Sequence, residues 1–216
     1  MNMNLNVKKA LEWGGLAAGS ILIIFGIVTI VLGFNGRNTV QSSLKGEFIV
    51  GTADMTPTQI KTEAQKSGLD LSKIEIPSCT VANKAITDGT RARCFAQYMR
   101  IHTFEATGGL TYAQMGRYLD KNGKATDITA KAAIDPQTHQ PVENGARNLW
   151  VTETALTTAL NMSFMASQLA LFSLVVGFAL LLSGVGFVIL ALAVLGGAFR
   201  RETAKAIAPN VAPTPA

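Results

Sequence analysis

Two long apolar runs frame a mixed polar and apolar region along this chain of 216 residues. Residues 11–34 read "LEWGGLAAGSILIIFGIVTIVLGF" and carry no charge from Trp13 onward, and residues 169–199 carry none at all. As helices, both runs are long enough to cross a hydrocarbon core of about 30 Å. The pattern predicts transmembrane helices at 11–34 and 169–199, arranged as an antiparallel two-helix hairpin.

The region between the two runs contains the helix-start and helix-stop signals typical of a mainly helical domain. Thr56 is placed to cap a helix that has Pro57 at its first position, with Gln59 as the capping-box partner and Gly68 as the stop. "TRARCFAQYMRIHTFEA" has helical apolar spacing, and "LDLSKIEIP" suggests a short extended piece.

Later in the region, similar signals recur. Thr111 and Gln114 repeat the signature of a helix start, and Asn122 with Gly123 predicts a turn. No glycine or proline interrupts residues 146–176, so we expect one helix to run from the central region into the second apolar run.

Basic residues near the two runs predict their orientation. Lys8 and Lys9 precede the first run, and Arg200, Arg201 and Lys205 follow the second. By the positive-inside rule, residues 1–10 and a disordered tail at 200–216 should be cytoplasmic, with 35–168 outside the plasma membrane. The first run is longer than a signal-peptide core, and "FNGRNTV" is a poor cleavage site, so a signal anchor is favoured over a cleaved signal.

Composition agrees with a membrane protein. Apolar residues make up 48% of the chain and charged residues only 15%, against about 25% in a typical soluble domain. The net charge of +5 is concentrated in the short tails, and the central region is nearly balanced. We therefore expect contact with the lipid bilayer and no binding of nucleic acid.

Two cysteines, Cys79 and Cys94, are the only ones in the chain. They could form a disulfide, remain free thiols, or belong to a metal or redox site. The predicted topology puts both outside the cytoplasm, where disulfides persist, so a disulfide is favoured. It would close a loop of about sixteen residues and stabilise the fold by roughly 3 kcal/mol.

Small residues recur every seven positions in both apolar runs. They are Gly19, Gly26 and Gly33 in the first, and Ala170, Gly177, Gly184 and Ala191 in the second. This spacing keeps one face toward a partner helix and lets backbones approach closely. The hairpin would pair 33 with 170, 26 with 177 and 19 with 184. The same face could serve a homo-oligomer, or reflect only the general abundance of small residues in membrane helices.

Few residues carry recognisable chemistry. The apolar cores hold no ionisable side chain, only Ser20, Thr29, Ser173 and Ser183, which argues against a transporter. The two histidines, His102 and His139, are far apart, and Glu105 beside His102 suggests an ordinary polar contact rather than a metal site. Nucleophile-elbow and phosphate-loop motifs are absent. We predict no catalytic, cofactor-binding or metal-binding residue, and no cofactor.

Three stretches resemble a set of uncharacterised actinobacterial two-span membrane proteins. They are "ARNLWVTETALTTALNMSFMASQLALF", "GFALLLSGVGF" and "CFAQYMRIHTFEATGGLTYAQMGRY". Some members of that set carry the label aromatic ring-opening dioxygenase, but this chain has no iron-ligand set for that chemistry. The resemblance implies a bacterial cell-envelope setting and supplies no site residues.

The function expected from the sequence is non-enzymatic. The chain should be an accessory or scaffolding protein that contacts a membrane or envelope protein partner through its external domain. The alternative is an external ligand-binding or sensing module that signals through a partner protein, because the two cytoplasmic tails are short.

Overall fold

A computed structural model describes residues 5–196 of the chain. The tail predicted at 200–216, and the last residues of the second predicted span, lie outside the described residues. The described residues up to Asn35, together with those from Leu169 onward, form one compact unit, and Gly36–Gln168 form a second.

Two long helices contribute to the first unit. Helix α1 covers Leu5–Gly46 and helix α4 covers Gly145–Leu190, followed by a π-helical turn at Ala191–Gly196. Both are long and apolar enough to cross a membrane. In the most apolar 18-residue stretch of each helix, only 11% and 22% of the stretch, respectively, is buried inside the protein. Helix α4 has the single uninterrupted course predicted from the sequence.

Helix α1 extends well past the predicted end at residue 34. Its last turns carry Leu44, which is only 5% exposed, and Val40, both packed against the core of the second unit. Tertiary packing of these two side chains therefore prolongs the helix beyond the apolar run.

Two shorter helices form the centre of the second unit. Helix α2 covers Pro57–Lys66, and its cap is the predicted one, because the Thr56 hydroxyl accepts a hydrogen bond from the backbone N–H of Gln59 at 3.3 Å. Helix α3 covers Gly89–Ala106 and is capped by Asp88, which accepts from the N–H of Arg91 at 2.9 Å. The mainly helical fold class is confirmed.

The rest of the second unit is more irregular than the sequence predicts. The supposed extended piece is a 3₁₀ turn at Leu71–Lys73, and the capping box at Thr111 starts only another 3₁₀ turn, Tyr112–Gln114. Strand β1 (Tyr118–Leu119) then pairs antiparallel with strand β2 (Ala125–Thr126), and the predicted Asn122-Gly123 turn joins them. A third 3₁₀ turn lies at Thr129–Lys131.

One hydrophobic core holds the second unit together. Ile60, Ile86, Tyr98 and Ile101 are at most 1% exposed and pack with Leu160 of α4. The core fixes α2 and α3 side by side and so determines which polar side chains meet at their rims.

Candidate functional site

The disulfide predicted from the sequence is present. Cys79 and Cys94 are bonded, with their Cα atoms 6.1 Å apart, inside the usual range for a disulfide. The bond ties the loop after Ile76 to the second turn of α3. No free cysteine remains, so the two sulfur atoms serve a structural role.

The segment between the two cysteines is less exposed than its polar sequence suggests. Val81 and Ile86 are each 1% exposed and belong to the core, and α3 begins at Gly89. The Gly89 position faces the Phe164 backbone and the Ser167 side chain of α4, where a Cβ atom would collide. Part of this segment is therefore built into the core of the second unit. Its exposed residues are Thr80, Asn83, Lys84, Ala85, Thr90, Arg91 and Arg93.

The predicted small residues of the first unit meet in pairs. A Cβ atom on Gly19 would lie 2.8 Å from the Gly184 carbonyl oxygen, and one on Gly26 would lie 2.9 Å from that of Gly177. One on Gly33 would lie 3.0 Å from the carbonyl oxygen of Ala170. These distances are too short for any side chain, so the backbones themselves are in contact at these positions.

Ala191, the last predicted member of this set, faces a residue that the seven-residue spacing did not include. Its Cβ atom would lie 3.2 Å from a Cβ atom on Gly15. The hydroxyl groups of Thr29 and Ser173 donate to carbonyl oxygens one turn earlier in their own helices, Phe25 at 2.7 Å and Leu169 at 3.0 Å. They are thus bonded within their own helices.

A polar cluster around His102 is the most concentrated group of metal-ligand atoms in the described part of the chain. His102 Nε2 lies 2.9 Å from Asp54 Oδ2, and His102 Nδ1 lies 3.0 Å from Glu105 Oε2. Ligand atoms of Asp54, Glu63 and His102 all lie within 4.8 Å of one another. The cluster joins the loop before α2, α2 itself and α3.

Electrostatics within this cluster favour an ionised Asp54. Burial acts to raise the pKa of the Asp54 carboxyl, but hydrogen bonds with Thr52, with its own backbone and with Glu63, together with the His102 charge, outweigh it and lower the pKa below 3.8. Among residues 5–196, no lysine or arginine forms an ion pair with Asp54, Glu63 or Glu105. The carboxyl groups of Asp54 and Glu105 contact His102 directly, and that of Glu63 lies close beside them.

A second polar group lies between α3 and α4. Arg100 Nη1 contacts Glu153 Oε2 at 3.1 Å, and the Glu153 side chain is only 1% exposed. The Arg100 guanidinium also lies 4.0 Å from the centre of the Trp150 ring. The other carboxylate oxygen of Glu153 is buried and has no hydrogen-bond partner, so this ion pair is a structural bond between two helices.

Sequence reasoning identified the contact of His102 with Glu105 but missed Asp54 and Glu63. Glu105 was found because it lies one helical turn from His102. Asp54 and Glu63 lie far from His102 in sequence, and only the packing of α2 against α3 brings them together. The expectation of no metal ligands was based on the distance between the two histidines and on the absence of paired metal-ligand motifs in the sequence, and it stays a prediction.

No protein-family model, no curated protein and no solved structure matches this chain. The resemblance to actinobacterial two-span proteins therefore stays a prediction.

Proposed function

We propose that the chain is an integral protein of the bacterial plasma membrane that presents residues 36–168 outside the cytoplasm. In this proposal α1 and α4 cross the bilayer as an antiparallel hairpin with both termini in the cytoplasm. The external domain acts as a non-enzymatic accessory or scaffold for another membrane or envelope protein.

The exposed apolar surface of the two long helices carries this proposal. Four large apolar side chains on these helices are between 63% and 72% exposed: Trp13, Leu32, Phe172 and Leu182. The most apolar stretches of both helices are mostly not buried inside the protein. A helix in the core of a soluble protein would bury this surface, whereas lipid removes it from water without a protein partner.

The disulfide supports the orientation. A bond between Cys79 and Cys94 persists in an oxidising compartment and is rare in the cytosol. The basic residues at both ends of the chain favour cytoplasmic termini by the positive-inside rule. The disulfide and the basic residues thus independently favour the same orientation.

Protease protection tests the membrane placement. The full chain, with a different epitope tag at each end, is expressed in bacteria, and protease is added to intact spheroplasts. We expect cleavage within 36–168, protection of both tags, and retention in the membrane pellet after alkaline carbonate washing. Digestion of either tag, or release by carbonate, would reject the proposal.

The partner role is supported by an apolar groove on the external domain. Tyr112 and Val151 are 46% and 55% exposed and line this groove with Trp150. Exposed apolar patches on soluble domains commonly mark protein contacts. We propose that a second envelope protein occupies the groove.

Site-specific photo-crosslinking in living cells tests the partner role. A photoreactive amino acid at Val151 should trap one discrete adduct, while the same group at the exposed Gln137 should not. An adduct at twice the chain mass would identify a second copy of this chain instead. Equal labelling at both positions, or none at either, would contradict a partner at the groove.

A further inference from the structure

We propose that Asp54, Glu63 and His102 bind a divalent transition-metal ion of the zinc class. In this site Glu105 orients His102 by contacting its other ring nitrogen, Nδ1. The inference concerns the fold of residues 36–168 and does not depend on the proposed membrane placement or partner.

The three candidate ligand atoms are spaced closely enough for one zinc ion. Zinc bonds to nitrogen and to carboxylate oxygen are about 2.0–2.2 Å long, and a tetrahedral site sets its ligand atoms roughly 3.4 Å apart. The candidate atoms of Asp54, Glu63 and His102 lie within 4.8 Å of one another, and the Asp54 to His102 pair is already at 2.9 Å. Small side-chain rotations bring the three atoms to one ion.

The imidazole ring of His102 has a carboxyl group at each of its two nitrogens. His102 Nδ1 lies 3.0 Å from Glu105 Oε2, on the side of the ring opposite to Nε2, which lies 2.9 Å from Asp54 Oδ2. With a metal bound at Nε2, Glu105 would accept the proton of Nδ1. A carboxylate that accepts from the remote nitrogen is the usual partner of a metal-bound histidine, because it fixes the tautomer and raises the basicity of the ligand.

Among the described residues, the carboxyl groups of the cluster have no basic side chain as a partner apart from His102. Three carboxyl groups surround one imidazole, and the described lysines and arginines form no ion pair with them. Glu105 Oε1 is buried and has no hydrogen-bond partner. A divalent ion would offset the repulsion between the neighbouring carboxyl groups of Asp54 and Glu63.

Access and ligand chemistry define the class of ion. The Asp54 and His102 side chains are 23% and 27% exposed, so an ion can enter from solvent and keep a water molecule as its fourth ligand. A nitrogen ligand favours zinc and similar ions over magnesium and calcium, which prefer oxygen ligands. The competing arrangement is a protonated His102 that bridges Asp54 and Glu105 without metal.

The test uses the full chain, purified in detergent with a tag that lacks histidine, stripped with chelator and then titrated with zinc. We expect one zinc bound per chain and a higher unfolding temperature when zinc is present. Cobalt(II) should bind at the same site and give the visible absorption of a four-coordinate ion, and excess magnesium or calcium should not displace zinc.

Variants assign the site. Glu63→Gln and Asp54→Asn each remove one ligand and should weaken zinc binding by more than about 100-fold, and Glu105→Gln should weaken it by about 10- to 100-fold. Glu143→Gln, an exposed carboxylate outside the cluster, should bind like the wild type. Circular dichroism and an intact disulfide show that each variant is folded, and the wild-type titration stands even where one variant fails.

Three results would overturn the proposal. The first is a stripped wild-type chain that takes up no zinc and unfolds at the same temperature with and without it, as a metal-free ion pair requires. The second is zinc binding that all four variants retain. The third is displacement of zinc by calcium or magnesium, which would contradict the zinc class.

Discussion

The Tyr98 hydroxyl donates a hydrogen bond of 2.6 Å to the backbone carbonyl oxygen of Cys79. Tyr98 lies one helical turn after Cys94, so the same face of α3 holds residue 79 twice, once by the disulfide and once by this hydrogen bond. Tyr98 is fully buried, and burial raises the pKa of its hydroxyl, with the negative charge of Asp54 adding to the effect. The hydroxyl therefore stays protonated and remains a donor.

Tyr98→Phe should lower the free energy of unfolding by about 1–3 kcal/mol, because the part-buried Cys79 carbonyl loses its donor. Urea unfolding of the full chain in detergent, followed by tryptophan fluorescence, measures the change. Tyr112→Phe, at a side chain that is 46% exposed, is the matched control and should have little effect. Equal stability of the wild type and Tyr98→Phe would show that the hydrogen bond contributes nothing.

The contact of Gly26 with Gly177 gives a prediction for the long helices. A Cβ atom at residue 26 would lie 2.7 Å from the Leu181 backbone nitrogen, so Gly26→Leu must push the helices apart. We expect a loss of about 1–3 kcal/mol, as is usual for overpacking, and a lower thermal unfolding temperature in detergent.

Gly186 supplies the control for this experiment. A Cβ atom there meets nothing within 4 Å, so Gly186→Leu adds the same apolar bulk without a clash. If Gly26→Leu and Gly186→Leu unfold at the same temperature, the close backbone contact is not what holds these helices together.

Local signals were sufficient to predict several elements. The cap of α2 depends on Thr56, Pro57 and Gln59, which are close in sequence, and their pattern alone predicted the helix. The contact of Gly26 with Gly177 also followed from spacing, because two helices with the same seven-residue period can align all their small residues at once.

Other features depend on contacts that no local pattern contains. The capping box at Thr111 and Gln114 is complete, yet the helix stops after one turn, because Gly116 lies against the backbone of β2, where a Cβ atom would be 2.5 Å from the Thr126 nitrogen. Asp54 and Glu63 likewise reach His102 only through the packing of α2 on α3. Tertiary structure decided both outcomes.

Acid should destabilise the second unit, residues 36–168, through carboxyl groups whose pKa is lowered by folding. The pKa of Asp54 lies below its ordinary value of 3.8, and that of Asp70 falls to about 2 because the Ser72 side chain and then Lys73 hydrogen-bond its carboxylate. The unfolded chain takes up protons near pH 3.8, before the folded chain does. The stabilisation is therefore complete above that pH and is lost as the pH falls through the lower, folded values.

Unfolding free energies measured at neutral pH and at several pH values below 3.8 test this expectation. Asp54→Asn should reduce the dependence on pH in that range, and combination with Asp70→Asn should reduce it further. An unchanged slope in the double variant would mean that other groups govern the acid sensitivity.

The ion pair of Arg100 with Glu153 leads to an asymmetric prediction. Arg100→Gln leaves the carboxylate of Glu153, which is 1% exposed, without its cation, whereas Glu153→Gln removes the buried charge and leaves Arg100 in contact with solvent at 45% exposure. A buried pair broken from one side costs about 3–5 kcal/mol, and the exposure of Arg100 places the loss at or below the lower end of that range. Glu153→Gln should cost less than Arg100→Gln in the same urea unfolding assay. The double variant should be less stable than the wild type by less than the two losses added together.

Arg100→Lys keeps the charge but loses the planar stacking on Trp150, 4.0 Å away, so its free energy of unfolding should lie between those of the wild type and Arg100→Gln. Equal losses for the two single glutamine variants would show that the buried charge of Glu153 is not what makes Arg100 necessary.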